Sequence, residues 1–214
     1  VKKRHQGFCG NRVGVVDYRA GNLRSVETAL LHLGADFFIS ERPEDFKEAS
    51  RLIFPGVGEA AAAMKVLDET GLGQAIREFY STGKPILGIC LGCQIVFSHS
   101  EEVNTTCLDL IGGRVVRFPH RTGFKVPHMG WNQVEHQGRH PVFQGIPELS
   151  SFYFVHSYYP VPEKKTYCIG ETEYGITFAS AVCSDNLLAV QFHPEKSGEK
   201  GLRLLAHFLQ WKVS

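Results

Sequence analysis

Three short segments carry side chains that could act together on a carbonyl carbon. Gly88-Ile-Cys90-Leu-Gly92 sets a thiol between two glycines. Glycines there permit a sharp strand-to-helix turn that thrusts the central side chain out at the strand's end. A helix beginning at Leu91 would place its free N–H groups and positive dipole end beside the sulfur, which favours a thiolate. Phe192-His193-Pro194-Glu195 supplies an imidazole to take the thiol proton and return it to a leaving amine. Residues two apart in extended chain point the same way, so Glu195 can orient the ring of His193 and stabilise its charged form. Pro55-Gly56-Val57-Gly58 is a glycine-rich turn whose N–H groups could meet a developing oxyanion, with the N–H of Leu91 as second donor.

Each segment also has a plainer reading. Cys90 could be a small buried apolar residue, His193 part of a surface turn, and the Pro-Gly segment a simple chain reversal. Cys90 and Cys93 form a C-x-x-C pair, which suits redox chemistry or half a zinc site. No second C-x-x-C completes such a site, and the chemistry above needs neither metal nor cofactor. The flanking glycines and the two independent signals in one chain favour a thiol nucleophile.

These segments need a frame. Val13–Val16, Phe37–Ile39, Arg51–Phe54 and Pro85–Ile89 read as buried strands. Between them lie helical stretches over Leu23–Leu33, Ala60–Leu67 and Leu72–Tyr80, and a further helix is expected over Leu91–Phe97. Strands alternating with helices imply right-handed crossovers, hence an α/β fold with a doubly wound, mostly parallel sheet covered on both faces. The second half is β-rich, over Arg114–Phe118, Gln133–Val134, Phe152–Tyr159 and Phe178–Phe192. A helix over Glu199–Trp211 then returns, with Leu202, Leu205, Phe208 and Leu209 expected on one face. One domain over residues 13–214 is expected, its later strands extending or flanking the parallel sheet.

Length and charge set limits. A chain of 214 residues can bury a real core, and a net charge of +1 gives no field that favours nucleic acid or an anionic membrane. No apolar run is long enough to span a bilayer. The six cysteines are too dispersed for a disulfide-stapled domain, so reduced thiols and a cytoplasmic setting are expected. Residues 1–12 are polar and read as a disordered leader or a cloning remnant.

Pro-Gly-Val-Gly, Gly-Ile-Cys-Leu-Gly-x-Gln and Phe-His-Pro-Glu, in this order and spacing, resemble the class I (triad) glutamine amidotransferases. The resemblance runs from Val13 to the C-terminus. It implies that Cys90 attacks the side-chain amide of glutamine and forms a thioester that water hydrolyses. By position, Cys90, His193 and Glu195 match the triad, Gly56, Val57, Gly58 and Leu91 the oxyanion region, and Gln94 the glutamine-binding helix. A narrower similarity rests on Asp17-Tyr-x-Ala-Gly-Asn22, Lys125-Val-Pro-His-Met-Gly-Trp-Asn132 and Tyr153-Phe-Val-His-Ser-Tyr158. These look like the glutaminase subunits of imidazole glycerol phosphate synthase. That resemblance implies docking on a (β/α)₈-barrel cyclase that receives the ammonia, through an interface including Asn22, His128, Trp131, Asn132 and Tyr153.

Two positions depart from that pattern. Arg19 stands where the family usually has glycine, and it demands readjustment if the position needs positive φ. Cys93 replaces the usual Met beside Gln94. Three rivals stay open at this point: a glutaminase feeding a synthase of pyridoxal phosphate or nucleotides, a C-x-x-C redox or regulatory protein, and an inactive binding module.

Overall fold

The computed structural model describes residues 12–19, 23–119 and 124–213. The chain starts with β1 (Val13–Val16), α1 (Leu23–His32), β2 (Phe37–Ser40) and β3 (Arg51–Gly56). Two helices, α2 (Ala60–Thr70) and α3 (Leu72–Ser81), lead to β4 (Ile86–Cys90) and the short α4 (Leu91–Ile95). Then come β5 (Phe97–Ser100), β6 (Thr105–Thr106), β7 (Ile111–Arg117), β8 (His128–Val134), β9 (Ser150–His156) and β10 (Tyr158–Pro162). The last elements are β11 (Cys168–Glu173), β12 (Thr177–Ser184), β13 (Leu187–Val190) and α5 (Gly198–Gln210).

Seven strands form the main sheet in the order β11-β12-β13-β4-β3-β1-β2. β2, β1, β3, β4 and β13 run parallel, while β12 and β11 are antiparallel additions. A four-stranded sheet, β10-β7-β5-β6, and the antiparallel ribbon β8-β9 flank it. The expected α/β architecture is therefore present, and the later strands both extend and flank the parallel sheet.

Strand alternation divides the core into two layers. Leu52, Phe54, Ile86 and Ala189 face one side with α2 and α3. Ile53, Leu87, Ile89, Leu188 and Val190 face the other, against Val26 and Leu30 of α1 and Leu204, Leu205 and Phe208 of α5. The buried face of α5 is Gly201, Leu204, Leu205 and Phe208; Leu202 and Leu209, expected among them, are only partly buried against it. Gly34 ends α1 at φ 65° and Gly71 separates α2 from α3 at φ 73°, conformations that glycine takes without strain.

One expectation fails at α4. The helix stops at Ile95, and Phe97, expected as its last residue, opens a strand instead. Phe97 pairs with Ile111 of β7, a long-range ladder that local sequence does not announce. Of the leader, residues 1–11 lie outside the described residues, whereas Arg12 is held in the fold: its carbonyl accepts from Ser50 N at 2.8 Å. Among the described residues no helix is long and apolar enough to cross a membrane.

Candidate active site

Three adjacent parallel strands end side by side and deliver the chemistry. β3 ends at Gly56, opposite Cys90 in register, and Val190 of β13 stands opposite Ile89 of β4. Ligands of open α/β sheets bind beyond this carboxyl edge. Cys90 is the hinge of the turn, at φ 55° and ψ −106°, a conformation unusual for any side chain bearing a Cβ. The glycines around it make the turn possible. A Cβ on Gly92 would stand 1.9 Å from the carbonyl oxygen of Phe54, and one on Gly88 would stand 2.8 Å from that of Gly92.

His193 follows β13 and begins a short 3-10 turn over Pro194–Lys196. Its Nδ1 lies 2.7 Å from Oε1 of Glu195, and both side chains are buried. Burial works against a charged imidazole, yet the neighbouring Cys90 and Glu195 outweigh it and raise the ring's pKa. Nε2 of His193 has no hydrogen-bond partner among the described residues, so the one nitrogen not used for orientation is free to accept a proton.

β9 binds both halves of this arrangement through its main chain. The carbonyl of Tyr153 accepts from His193 N at 2.9 Å, and that of Val155 accepts from the Cys90 thiol at 3.9 Å. Acceptors two residues apart on one strand thus hold base and nucleophile on the same side.

A cavity of about 250 Å³ opens onto the sulfur, lined among others by Val57, Gly58, Leu91, Gln94 and Glu102. It suits a ligand the size of an amino acid. Gly56 does not line this cavity but borders a cleft of about 10 Å³ together with Val57, His193 and Glu195. A Cβ at Gly56 would stand 1.7 Å from the Tyr18 hydroxyl, a buried group raised in pKa by burial and, less, by its proximity to Cys90. Gln94 lines the cavity, but its Nε2 is engaged by the carbonyl of Tyr158 and Oε1 of Gln191, each at 3.0 Å. Its oxygen is the part left for a ligand.

The proposed interface residues divide by strand parity. Met129 and Trp131 are 62% and 60% exposed, whereas His128, next to Met129 and so on the opposite face of the strand, is 2% exposed. His128 packs inward, on the ring of Phe154 and against His156. Asn132 shares that inward side, donating to the carbonyl of Glu173 at 2.9 Å. Tyr153 lies across the ribbon from Trp131, ring centroids 6.1 Å apart, and 6.4 Å from the His193 ring. Asn22 lies outside the described residues.

Two residues at the site escaped the sequence reading. Gln191 is wholly buried and donates to the Cys90 sulfur at 3.8 Å. Its two-residue spacing from His193 carried the same parity signal that placed Glu195. Glu102 lines the cavity, its pKa raised by burial against the opposing hydrogen bond from Ala60 N at 2.7 Å; nothing local marks it.

Cys90 and Cys93 are both free thiols. Cys93 is 0% exposed, and burial together with the charge of Cys90 pushes its pKa well up, which leaves it a poor redox partner. His136 and His140 stand at H-x-x-x-H spacing. The His136 ring stacks on Phe143 and the His140 ring meets Trp211 edge-on, and among the described residues no three His, Cys, Asp or Glu side chains gather as metal ligands.

Comparison with known proteins agrees with this geometry. Residues 14–211 match the family described as Glutamine amidotransferase class-I. The chain is 45% identical over 208 residues to the imidazole glycerol phosphate synthase subunit HisH of Thiobacillus denitrificans, covering 93% of this chain and 91% of that protein. It is 48% identical over 197 residues to the subunit of the same name from Moorella thermoacetica, covering 92% and 93%. A solved structure of PurLQS from Thermotoga maritima superposes with a TM-score of 0.72 at 18% identity, covering 93% of this chain and 97% of that one. That last likeness speaks for the fold alone. With an oriented imidazole and a strained thiol at the carboxyl edge of its sheet, the chain belongs to the class-I glutamine amidotransferase family and groups there with the HisH subunits of imidazole glycerol phosphate synthase.

Proposed function

We propose that this chain is the glutaminase subunit of an imidazole glycerol phosphate synthase, acting in the cytoplasm and passing ammonia to a (β/α)₈-barrel cyclase for histidine biosynthesis. The observation that carries the chemistry is the His193–Glu195 bond, with Nε2 left free beside the Cys90 turn. The sulfur attacks the amide carbon of glutamine while His193 takes the thiol proton. Collapse of the tetrahedral intermediate breaks the C–N bond, and His193 returns the proton to the departing nitrogen, leaving a thioester. Water, deprotonated by the same imidazole, then attacks the thioester and releases glutamate. Val57, Gly58 and Leu91 border the cavity where the oxyanion would form. Glu102 supplies a carboxylate to offset the substrate's ammonium group.

The exposed Met129 and Trp131 on β8 support docking through this ribbon, because large apolar side chains of this kind anchor interfaces. Ammonia becomes unreactive ammonium in water, so its source and its consumer gain from sharing a dry passage. The test measures glutamate formation by the chain alone, with the cyclase, and with the cyclase plus its nucleotide ligand. The expected result is slow hydrolysis alone and a marked rise in the ternary mixture. Robust hydrolysis that ignores the cyclase would overturn the assignment to this synthase.

A further inference from the structure

Gln191 sits one residue past β13, wholly buried, between the strand that carries the nucleophile and the turn that carries the base. Its amide has one orientation. Nε2 donates to the Cys90 sulfur at 3.8 Å, while Oε1 accepts from Nε2 of Gln94 at 3.0 Å. Gln94 cannot turn over to release it, because the same Nε2 also donates to the carbonyl of Tyr158 at 3.0 Å. A flipped Gln94 would set oxygen against oxygen at both contacts.

The lock continues outward. Nδ1 of His156 donates to that same Tyr158 carbonyl at 2.7 Å, so a neutral His156 must accept at Nε2. It accepts from Nδ1 of His128 at 2.9 Å, and Nε2 of His128 accepts from Asn132 at 3.2 Å. Burial keeps both rings neutral, lowering His128 to about 4 and His156 to about 3. Every hydrogen from Asn132 to the sulfur therefore has one direction.

A buried sulfur that becomes anionic needs a donor, and a charged acceptor strengthens the bond it receives. The proton on His193 is transient, since it leaves with the product nitrogen. The hydrogens of Gln191 are permanent. We infer that Gln191 is the standing hydrogen-bond donor to the Cys90 sulfur in both half-reactions, with Gln94 as the positioning residue that keeps its amide correctly turned. When water's oxygen bonds to the acyl carbon and the C–S bond breaks, the electron pair returns to sulfur and meets this donor again. The inference deepens the glutaminase reading and rests on it for the second half-reaction.

Gln191→Met keeps the length of the side chain and removes the donor. The full-length chain is treated with iodoacetamide from about pH 5 to about pH 10, and the Cys90 adduct is quantified by mass spectrometry. Alkylation at neutral pH is expected to slow about tenfold, its pH profile moving upward, with the far-UV spectrum unchanged. Gln94→Met should move the profile in the same direction by less. A Gln191→Met profile that coincides with the wild type overturns the inference. Should Gln191→Met fail to fold, a wild-type profile in Gln94→Met overturns it instead. Absence of glutaminase activity in the wild type, with the profile shift intact, would remove the functional reading and leave the role of Gln191 at the sulfur standing.

Discussion

Nδ1 of His193 donates to Oε1 of Glu195 across 2.7 Å inside a nearly closed pocket. This bond fixes the tautomer and leaves Nε2 as the nitrogen that, in the proposed mechanism, carries the proton between sulfur, product nitrogen and water. Glu195→Gln should place the wrong tautomer toward Cys90 and lower kcat on the order of 10²-fold or more. Cys90→Ala should abolish ammonia release. Cys93→Ser, at a buried thiol away from the cavity lining, should keep kcat within about threefold. Equal loss in the two cysteine variants, measured as ammonia released per enzyme, would favour a redox role for the pair.

The turn around Cys90 tolerates no side chain on its inner glycine. In Gly92→Ala the new methyl would meet the backbone oxygen of Phe54 at 1.9 Å, and no rotamer change can relieve that contact. The expected destabilisation is on the order of 3 kcal/mol or more, read as a lower urea midpoint. A variant of unchanged stability would show that β3 and α4 can separate without cost.

Arg19 has φ 62°, the conformation that the glycine of the family pattern would hold without strain. Its compensations are weak: a bond from its own N–H to Asp17 at 3.0 Å and an exposed ion pair with Glu41 at 3.3 Å. Arg19→Gly should therefore raise stability, by about 0.5–1 kcal/mol once the greater entropy of the unfolded glycine is set against the relieved strain. A fall in thermal midpoint would mean that the guanidinium contributes more than its geometry suggests.

His140 is depressed by burial from the ordinary 6.5 to about 4. Above about pH 6.5 neither the folded nor the unfolded chain holds this proton, and stability is full. Between about 6.5 and about 4 the unfolded chain takes up a proton that the folded chain refuses, so stability falls as pH falls. His140→Gln should remove up to about 1.4 kcal/mol per pH unit of that slope, one proton's share, while leaving hydrolysis intact. Urea titrations across this window test it, and an unaltered slope would place the uptake at other histidines.

Much of this molecule was legible in its sequence, for reasons that differ by region. The parallel strands and α1 to α3 follow from local periodicity and from Gly34 and Gly71, because buried strands of this kind are short continuous apolar runs. The Cys90 turn was legible because only glycine satisfies the close approaches at positions 88 and 92. His193 and Glu195 share parity across a proline, and Gln191 obeys the same parity, yet a lone amide does not advertise chemistry. Phe97 misled the helical pattern because its partner, Ile111, is remote in sequence. His128 and Trp131 appeared alike in one motif, and only pleat alternation sends one inward and the other out. Glu102 reaches the cavity through tertiary packing alone.

Strand β9 contributes carbonyls, not side chains, to the nucleophile and the base. These two hydrogen bonds do not depend on side-chain identity at 153 and 155, but they do depend on chain length. One residue inserted between 152 and 156 would exchange the acceptors for their neighbours and turn Phe152 or Phe154 toward water. The same insertion in the turn near 137–139 would be absorbed at the surface. Substitution at 153 or 155 leaves the two carbonyls where they are, whereas a change of count moves both.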